Sequence, residues 1–274
     1  MSLRPYRTYR NIINNMQKNI IRPDSISLTT HHLHMGFNNE VLSHGTGFIY
    51  KKEDTYYLIT NWHNVSGKHP DSGRHLSDHG GEPNVICTYF RSRENPGVTH
   101  KEIIRLYDDD DFQKPVWKEH PTHRNKVDVV AIPLKKEISE QYKLYPINEI
   151  NFDTKYRTEV ADEAFVVGYP FAELTYIALP IWKKASISSE PDVNINRLPM
   201  LYIDTATRPG LSGSPVVMQR IGIHGLVNGA PNDDSTIGRI RNFIGVYSGR
   251  VGGDEQLAQL GIVWKVNVIE EVLT

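Results

Sequence analysis

The sequence has little cysteine, no long apolar run and almost no net charge. Its 274 residues include one cysteine, Cys87, so no disulfide can form within the chain. Packing and hydrogen bonds therefore have to stabilise the fold, which suits a reducing compartment.

Charge and hydropathy argue against two classes of partner. The 31 basic residues are balanced by 32 acidic ones, so no positive surplus favours binding to nucleic acid or an anionic membrane. No stretch approaches the roughly 20 apolar residues of a membrane span. The start, "MSLRPYRTYRNIINNMQKNII", lacks the apolar core of a secretory signal. We expect a cytoplasmic protein with no nucleic-acid or membrane partner; secretion stays open if the first residues are not native.

Short β-rich segments separated by Gly, Pro, Asn and Asp make up most of the chain and predict an all-β fold. The candidate strands of the first half are 26–35, 45–50, 55–60, 84–90, 100–107 and 127–134. Those of the second half are 164–170, 175–189, 199–205, 214–219, 242–249 and 261–266. Each set suffices for a six-stranded antiparallel β-barrel, which leaves no exposed sheet edge.

The apolar spacing at 10–21 predicts a short N-terminal helix, and the tail "NVIEEVLT" predicts a C-terminal one. Four segments follow from this pattern. They are an N-terminal helical brace at 1–25, a first β-barrel at 26–135, a connector at 136–160 and a second β-barrel with the C-terminal helix at 161–274.

Three residues could form a catalytic group. Ser212 lies in "RPGLSGSPVV", and a serine hydroxyl becomes nucleophilic only when a base, oriented by a third group, accepts its proton. His63 ends the apolar run of "YLITNWHNVSG". Asp128 opens "VDVVAIPL", where a carboxylate needs a partner to offset its desolvation. Taken singly, each has an ordinary alternative: a turn serine, a surface histidine and an aspartate bonded to nearby backbone.

The three occur in the order His63, Asp128, Ser212, which is the order of the chymotrypsin triad. Other segments agree with that order. "GTGFIY", "LITNWHNV", "VDVVAIPL" and "GLSGSP" resemble the strand, histidine, aspartate and serine motifs of one family, and "FVVGYP", "GVYSGR" and "GIVWKV" resemble strands of its second barrel. Over roughly residues 27 to 270 the chain resembles the trypsin/chymotrypsin-like serine peptidases, in the disulfide-free form of bacterial and intracellular members.

The resemblance implies two six-stranded barrels with an active site in the cleft between them, and a polypeptide substrate. His63 would act as general base and then general acid, and Asp128 would orient it. Ser212 would form the acyl-enzyme. The backbone N–H groups of Gly210 and Ser212 would form the oxyanion hole.

The sequence also departs from the family. Leu211 stands where zymogen-type members carry an aspartate that pairs with a newly cut N-terminus, and no "IVGG"-like start is present. We therefore expect a peptidase that is active as synthesised, or one gated by a regulatory protein partner or by loop 66–84.

The resemblance also places a substrate pocket. Its predicted residues are Ala206 at the base, with Ser248, Gly249, Arg250 and Gly261 on the walls. No carboxylate stands at the base, so a lysine or arginine substrate would bury an unpaired cation. An apolar or small substrate side chain is favoured, and Arg250 leaves an acidic one as the alternative.

No cofactor and no metal site are predicted. The acidic run Asp108–Asp111 lacks the alternating ligand spacing of a calcium loop. His69, His75 and His79 have no cysteine partner and no recognised zinc spacing.

Three functions remain open: a serine endopeptidase, a noncatalytic protein-binding module on the same fold, and a triad esterase. The esterase is disfavoured because Ser212 is not in a G-x-S-x-G elbow between a strand and a helix.

Overall fold

The computed structural model describes residues 22–38, 40–77, 79–95, 97–172, 179–206, 208–251 and 259–274. The helix predicted at 10–21 lies outside these ranges, as does most of the first half of the strand predicted at 175–189.

The first half of the described chain forms one antiparallel sheet of eight strands. These are β1 Thr30–Phe37, β2 Glu40–Lys52, β3 Thr55–Thr60, β4 Val85–Ser92, β5 Thr99–Arg105, β6 Lys118–Glu119, β7 Val130–Pro133 and β8 Tyr142–Lys143. The order across the sheet is β5-β4-β1-β2-β3-β7-β6, and β8 pairs with β4. The longer strands correspond to the predicted ones, while β6 and β8 are two-residue additions.

The second half forms a closed six-stranded barrel, in the order β10-β11-β14-β13-β12-β9. Its strands are β9 Glu163–Gly168, β10 Ile181–Ile187, β11 Met200–Asp204, β12 Pro215–His224, β13 Thr236–Arg250 and β14 Leu260–Lys265. Pairing of β9 with β10 closes the ring. The predicted all-β fold class is confirmed, and the second half is the predicted six-stranded barrel. The first half has eight strands where six were predicted, because β6 and β8 add to the sheet.

Four short α-helices complete the described chain: α1 Ser25–Thr29, α2 Trp62–Ser66, α3 Lys136–Gln141 and α4 Asn267–Val272. Single 3₁₀ turns lie at Arg124–Lys126, Ile147–Glu149 and Pro170–Ala172. The prediction of a strand from residue 26 was wrong at its start. The Asp24 side chain caps α1 by accepting from the N–H of Ile26 at 3.1 Å, so the chain is helical before β1 begins.

Apolar side chains form a core in each half of the chain and a further cluster between the two halves. Leu33 and Met35 of β1 belong to the first core, and Val216 and Val263 to the core of the closed barrel. Helix α4 buries Val268, Ile269 and Val272 in a third cluster, which includes residues of both sheets such as Phe48 and Trp264. The predicted C-terminal helix thus packs across the junction of the two halves. Within the described ranges, no helix is long and apolar enough to cross a bilayer.

Candidate active site

His63 lies at the point where β3 gives way to α2. The strand ends in the buried residues Leu58, Ile59 and Thr60, and the chain then turns into a single helical turn. Gly67 ends that turn in the left-handed conformation, with φ of 67°, and its N–H donates to the carbonyl of His63 at 3.0 Å. A glycine at this position avoids the strain that a side chain would cause.

Asp128 is the direct partner of His63. Its Oδ1 accepts the backbone N–H of His63 at 2.9 Å, and its Oδ2 lies 2.6 Å from His63 Nδ1. The carboxylate is almost fully buried, with an exposed fraction of 1%. Asn61 holds the same backbone by donating from Nδ2 to the Asp128 carbonyl at 2.6 Å. Nδ1–H of the imidazole is therefore directed at Asp128, which leaves Nε2 as the nitrogen able to accept a proton.

Ser248 completes the bonding of this carboxylate. Its hydroxyl donates to Asp128 Oδ2 at 2.5 Å. The sequence predicted Ser248 only as a pocket wall. The two residues are 120 positions apart, and no local pattern in "GVYSGR" signals the contact, because it depends on how β13 meets the loop before β7.

Ser212 lies in a tight turn between β11 and β12. Gly210 and Gly213 adopt φ of +95° and +84°. A Cβ atom at Gly210 would lie 2.3 Å from the carbonyl oxygen of Tyr169, and one at Gly213 would lie 2.0 Å from that of Thr46. Only glycine is compatible with either position, because both the backbone angle and the close contact exclude a side chain.

The Ser212 hydroxyl donates to the backbone carbonyl of Ser248 at 3.1 Å. Within the described part of the chain it makes no hydrogen bond with His63. The Ser212 carbonyl accepts from the N–H of Thr46 at 2.8 Å and from Nδ2 of Asn64 at 3.2 Å. The turn is thus tied on one side to β13 and on the other to β2 and α2, the elements next to His63.

The Thr46 side chain makes two hydrogen bonds that hold the turn carrying Ser212. Its hydroxyl donates to the carbonyl of Gly210 at 2.7 Å and accepts the N–H of Tyr169 at 3.1 Å. Neither Thr46 nor Asn64 was predicted from the sequence to have a role in the site. A strand threonine and a helical asparagine give no local sign of a contact about 150 residues away.

The backbone N–H groups of Gly210 and Ser212 have no hydrogen-bond partner among the described residues. Leu211 between them is buried, with an exposed fraction of 1%, and packs in the core of the closed barrel. Within the described part of the chain, the turn therefore presents two unpaired donors on either side of a side chain that anchors it.

A cavity of about 670 Å³ adjoins His63 and Asp128. Three residues of the predicted pocket, Ser248, Gly249 and Arg250, line it. Apolar side chains that also line it are Leu76, Leu198, Met200, Val251, Ile262 and Trp264. The two other predicted pocket residues lie elsewhere. Ala206 is exposed, and Gly261 is buried, where an added Cβ atom would lie 2.7 Å from the ring of Tyr247.

Loop 66–84 contributes to the same cavity through His69, Pro70, Asp71 and Leu76. The side chain of Asn125 donates to the Pro70 carbonyl at 2.7 Å, which ties the loop to the segment before Asp128. Part of this loop therefore forms a wall beside His63.

Comparison with known proteins places the chain in a family. A family model described as a trypsin-like peptidase domain matches residues 45–225. A search of curated proteins found no match. Among solved structures, a serine endoprotease from Yersinia pestis is similar at 11% identity and a TM-score of 0.49, over 92% of this chain and 66% of that chain. Since the family model matches well over half of the sequence, the chain belongs to the trypsin-like peptidase domain family.

Proposed function

We propose that this protein is a serine endopeptidase in which His63, Asp128 and Ser212 act together. The observation that carries the proposal is the buried pairing of His63 with Asp128, in which Nδ1 lies 2.6 Å from Oδ2 and the His63 N–H lies 2.9 Å from Oδ1. Two bonds to one carboxylate fix both the backbone and the ring of His63. Such fixation is what a general base requires.

In the proposed mechanism the Ser212 oxygen attacks the scissile carbonyl while His63 Nε2 takes its proton. Asp128 stabilises the imidazolium that forms. His63 then protonates the leaving amine, and a water molecule, activated by the same nitrogen, hydrolyses the acyl-enzyme. Ser212 has to turn its hydroxyl from the Ser248 carbonyl, at 3.1 Å, towards His63. A side-chain rotation of this kind is fast compared with turnover.

Negative charge on the tetrahedral intermediate would be stabilised by the N–H groups of Gly210 and Ser212. Both are unpaired among the described residues, and the positive φ of Gly210 supports an N–H directed at the reacting oxygen. One such donor is typically worth about 100- to 1000-fold in rate.

The burial of Leu211 supports activity without zymogen-type activation. A leucine with 1% exposure in an apolar core cannot form the ion pair that a newly cut N-terminus makes with aspartate. The turn is instead held by Thr46 and Asn64, so its conformation needs no processing step.

We propose that an apolar or small substrate side chain is preferred and that a polypeptide is the substrate. The cavity next to His63 supports this preference through apolar walls that include Leu198, Met200 and Trp264.

Labelling with a fluorophosphonate probe tests the proposal, because the probe reacts covalently with an activated serine. The wild-type protein should be labelled and Ser212→Ala should not. Ser188→Ala, which changes an exposed serine directly after β10, serves as the matched control and should label normally. Folded protein that is never labelled would favour the noncatalytic binding module, and labelling that survives Ser212→Ala would remove the assignment of Ser212.

A peptide library then defines specificity. Cleavage after apolar or small residues is expected. If the protein hydrolyses activated esters but cleaves no peptide in the library, it is an esterase and the endopeptidase assignment is wrong.

A further inference from the structure

Three histidines other than His63 gather on one face of the first sheet. His32 and His34 are alternate residues of β1, and His44 of β2 is the cross-strand partner of His34. Alternate residues and direct cross-strand partners project from the same side of a sheet. The opposite face of β1 carries Leu33 and Met35 in the apolar core, so the register itself brings the imidazoles together.

The imidazoles are close enough to share one ion. A ligand nitrogen from each of the three lies within 4.8 Å of the other two. In a tetrahedral zinc site with Zn–N bonds of about 2.0 Å, neighbouring ligand atoms are about 3.3 Å apart. Small rotations of the rings would close the difference.

The ring nitrogens lack the hydrogen bonds that buried polar atoms normally make. Among the described residues, no partner exists for His32 Nδ1 and Nε2, His34 Nε2 or His44 Nδ1. Unpaired buried polar atoms are costly and uncommon. Four such nitrogen atoms in one cluster favour a ligand that accepts nitrogen lone pairs.

We propose that His32, His34 and His44 form a binding site for a divalent transition metal, with Zn²⁺ as the ion that fits best. Three neutral imidazoles are a known zinc ligand set that leaves the fourth position to water. Imidazole favours zinc, copper and nickel over magnesium or calcium, which prefer oxygen ligands.

The electrostatics of the cluster agree with this assignment. Burial lowers the pKa of His32 to about 3, with a further lowering from His34 and His44. Burial also lowers the pKa of His34 and of His44. The rings are therefore neutral at pH 7 and keep lone pairs for a metal.

One side of the cluster is open to solvent, and the other packs against an aromatic ring. His32 is buried, whereas His44 is partly exposed and offers an entry path. The Tyr169 ring stacks on His32 with centroids 5.1 Å apart. Bound metal would join β1 to β2 at this point, so it should stabilise the fold.

No metal site was predicted from the sequence, where His69, His75 and His79 were the histidines weighed as zinc ligands. The cluster was missed because His44 is ten residues from His34 with no recognised ligand spacing. Only the register of β1 with β2 brings the two together.

Titration of the full chain with Zn²⁺ by calorimetry, after removal of metal with a chelator, tests the proposal. One ion should bind per chain and raise the melting temperature. His44→Gln changes a partly exposed ligand, so it should fold, and it should raise the Kd by about tenfold or more, since even outer-shell changes cost 10- to 100-fold. His34→Gln should act in the same way.

His79→Gln is the matched control, because it removes an exposed histidine of loop 66–84 outside the cluster. Its Kd should equal that of the wild type, and Ser212→Ala should also bind normally. No Zn²⁺ binding, an unchanged Kd in folded His44→Gln, or a loss confined to His79→Gln would each overturn the proposal. The readout needs no peptidase activity, so this result and that of fluorophosphonate labelling stand independently.

Discussion

The Ser248 hydroxyl lies 2.5 Å from Oδ2 of Asp128, the same carboxylate oxygen that lies 2.6 Å from His63 Nδ1. One buried oxygen therefore accepts from two side chains, while Oδ1 accepts the backbone N–H of His63. If one donor is removed, the buried carboxylate loses a hydrogen bond that water cannot easily replace. We expect Asp128 then to orient the imidazole of His63 less firmly.

Ser248→Ala should therefore lower kcat about tenfold, the equivalent of about 1.4 kcal/mol and typical of one lost bond to a charged group. The Ser248 carbonyl, which accepts from Ser212, is retained in this variant. Kinetics on the best substrate of the peptide library measure the effect, with Ser188→Ala, a change at an exposed serine, as control. Wild-type kcat in Ser248→Ala would show that the third hydrogen bond does not matter.

His63→Ala should reduce turnover about as severely as Ser212→Ala, and the double variant should be little worse than either. Residues that act as one catalytic unit have strongly non-additive effects. Turnover near the wild-type rate in His63→Ala would mean that another group is the base.

Thr46→Val should slow fluorophosphonate labelling about tenfold. The change preserves shape but removes the hydroxyl that bonds to the Gly210 carbonyl and the Tyr169 N–H. Each buried group left unpaired costs about 1–3 kcal/mol, so the turn carrying Ser212 should become less well ordered. Thr46→Ser restores the hydroxyl and should recover the rate. Equal rates for the valine and serine variants would contradict this role.

Gly213→Ala should reduce the free energy of unfolding by about 2 kcal/mol or more, since a side chain at φ of +84° is strained and would meet the Thr46 carbonyl oxygen. Gly238→Ala is the control. That glycine lies in β13, and no atom is within 4 Å of an added Cβ. Denaturant unfolding compares the two variants, and equal stabilities would show that the turn relaxes without strain.

Between pH 10 and 12, the free energy of unfolding should fall less in Tyr142→Phe than in the wild type. The Tyr142 hydroxyl donates to Glu102 at 2.5 Å, and this bond, followed by burial, raises its pKa to about 12. The folded state thus keeps a proton that the unfolded state releases near pH 10. The stabilisation is complete below pH 10 and disappears as the pH rises through 12.

Unfolding free energies measured across that range for wild type and Tyr142→Phe test the linkage. Tyr145→Phe controls for tyrosine ionisation in general. Parallel curves for wild type and Tyr142→Phe would exclude a linked proton at this residue.

Alternating apolar residues were enough to predict most strands. β3 falls at Thr55–Thr60, as predicted, because its pattern and flanking turn residues agree. Helix α1 escaped prediction because a five-residue turn is set by the Asp24 cap, and apolar periodicity cannot define so short a helix. The four-segment division stays a prediction, although β8 of the predicted connector pairs with β4 of the first sheet.

The sequence by itself determined the all-β class, the absence of a disulfide within the chain and the order His63, Asp128, Ser212. Each of these depends only on local pattern or on composition. Only the tertiary structure decided that His63 and Asp128 are in contact, that Ser248 and Thr46 support them, and that His32, His34 and His44 share one face. These contacts depend on strand register and on packing between distant segments. A shift of one residue in the pairing of β1 with β2 would leave every local motif unchanged and would separate the histidines.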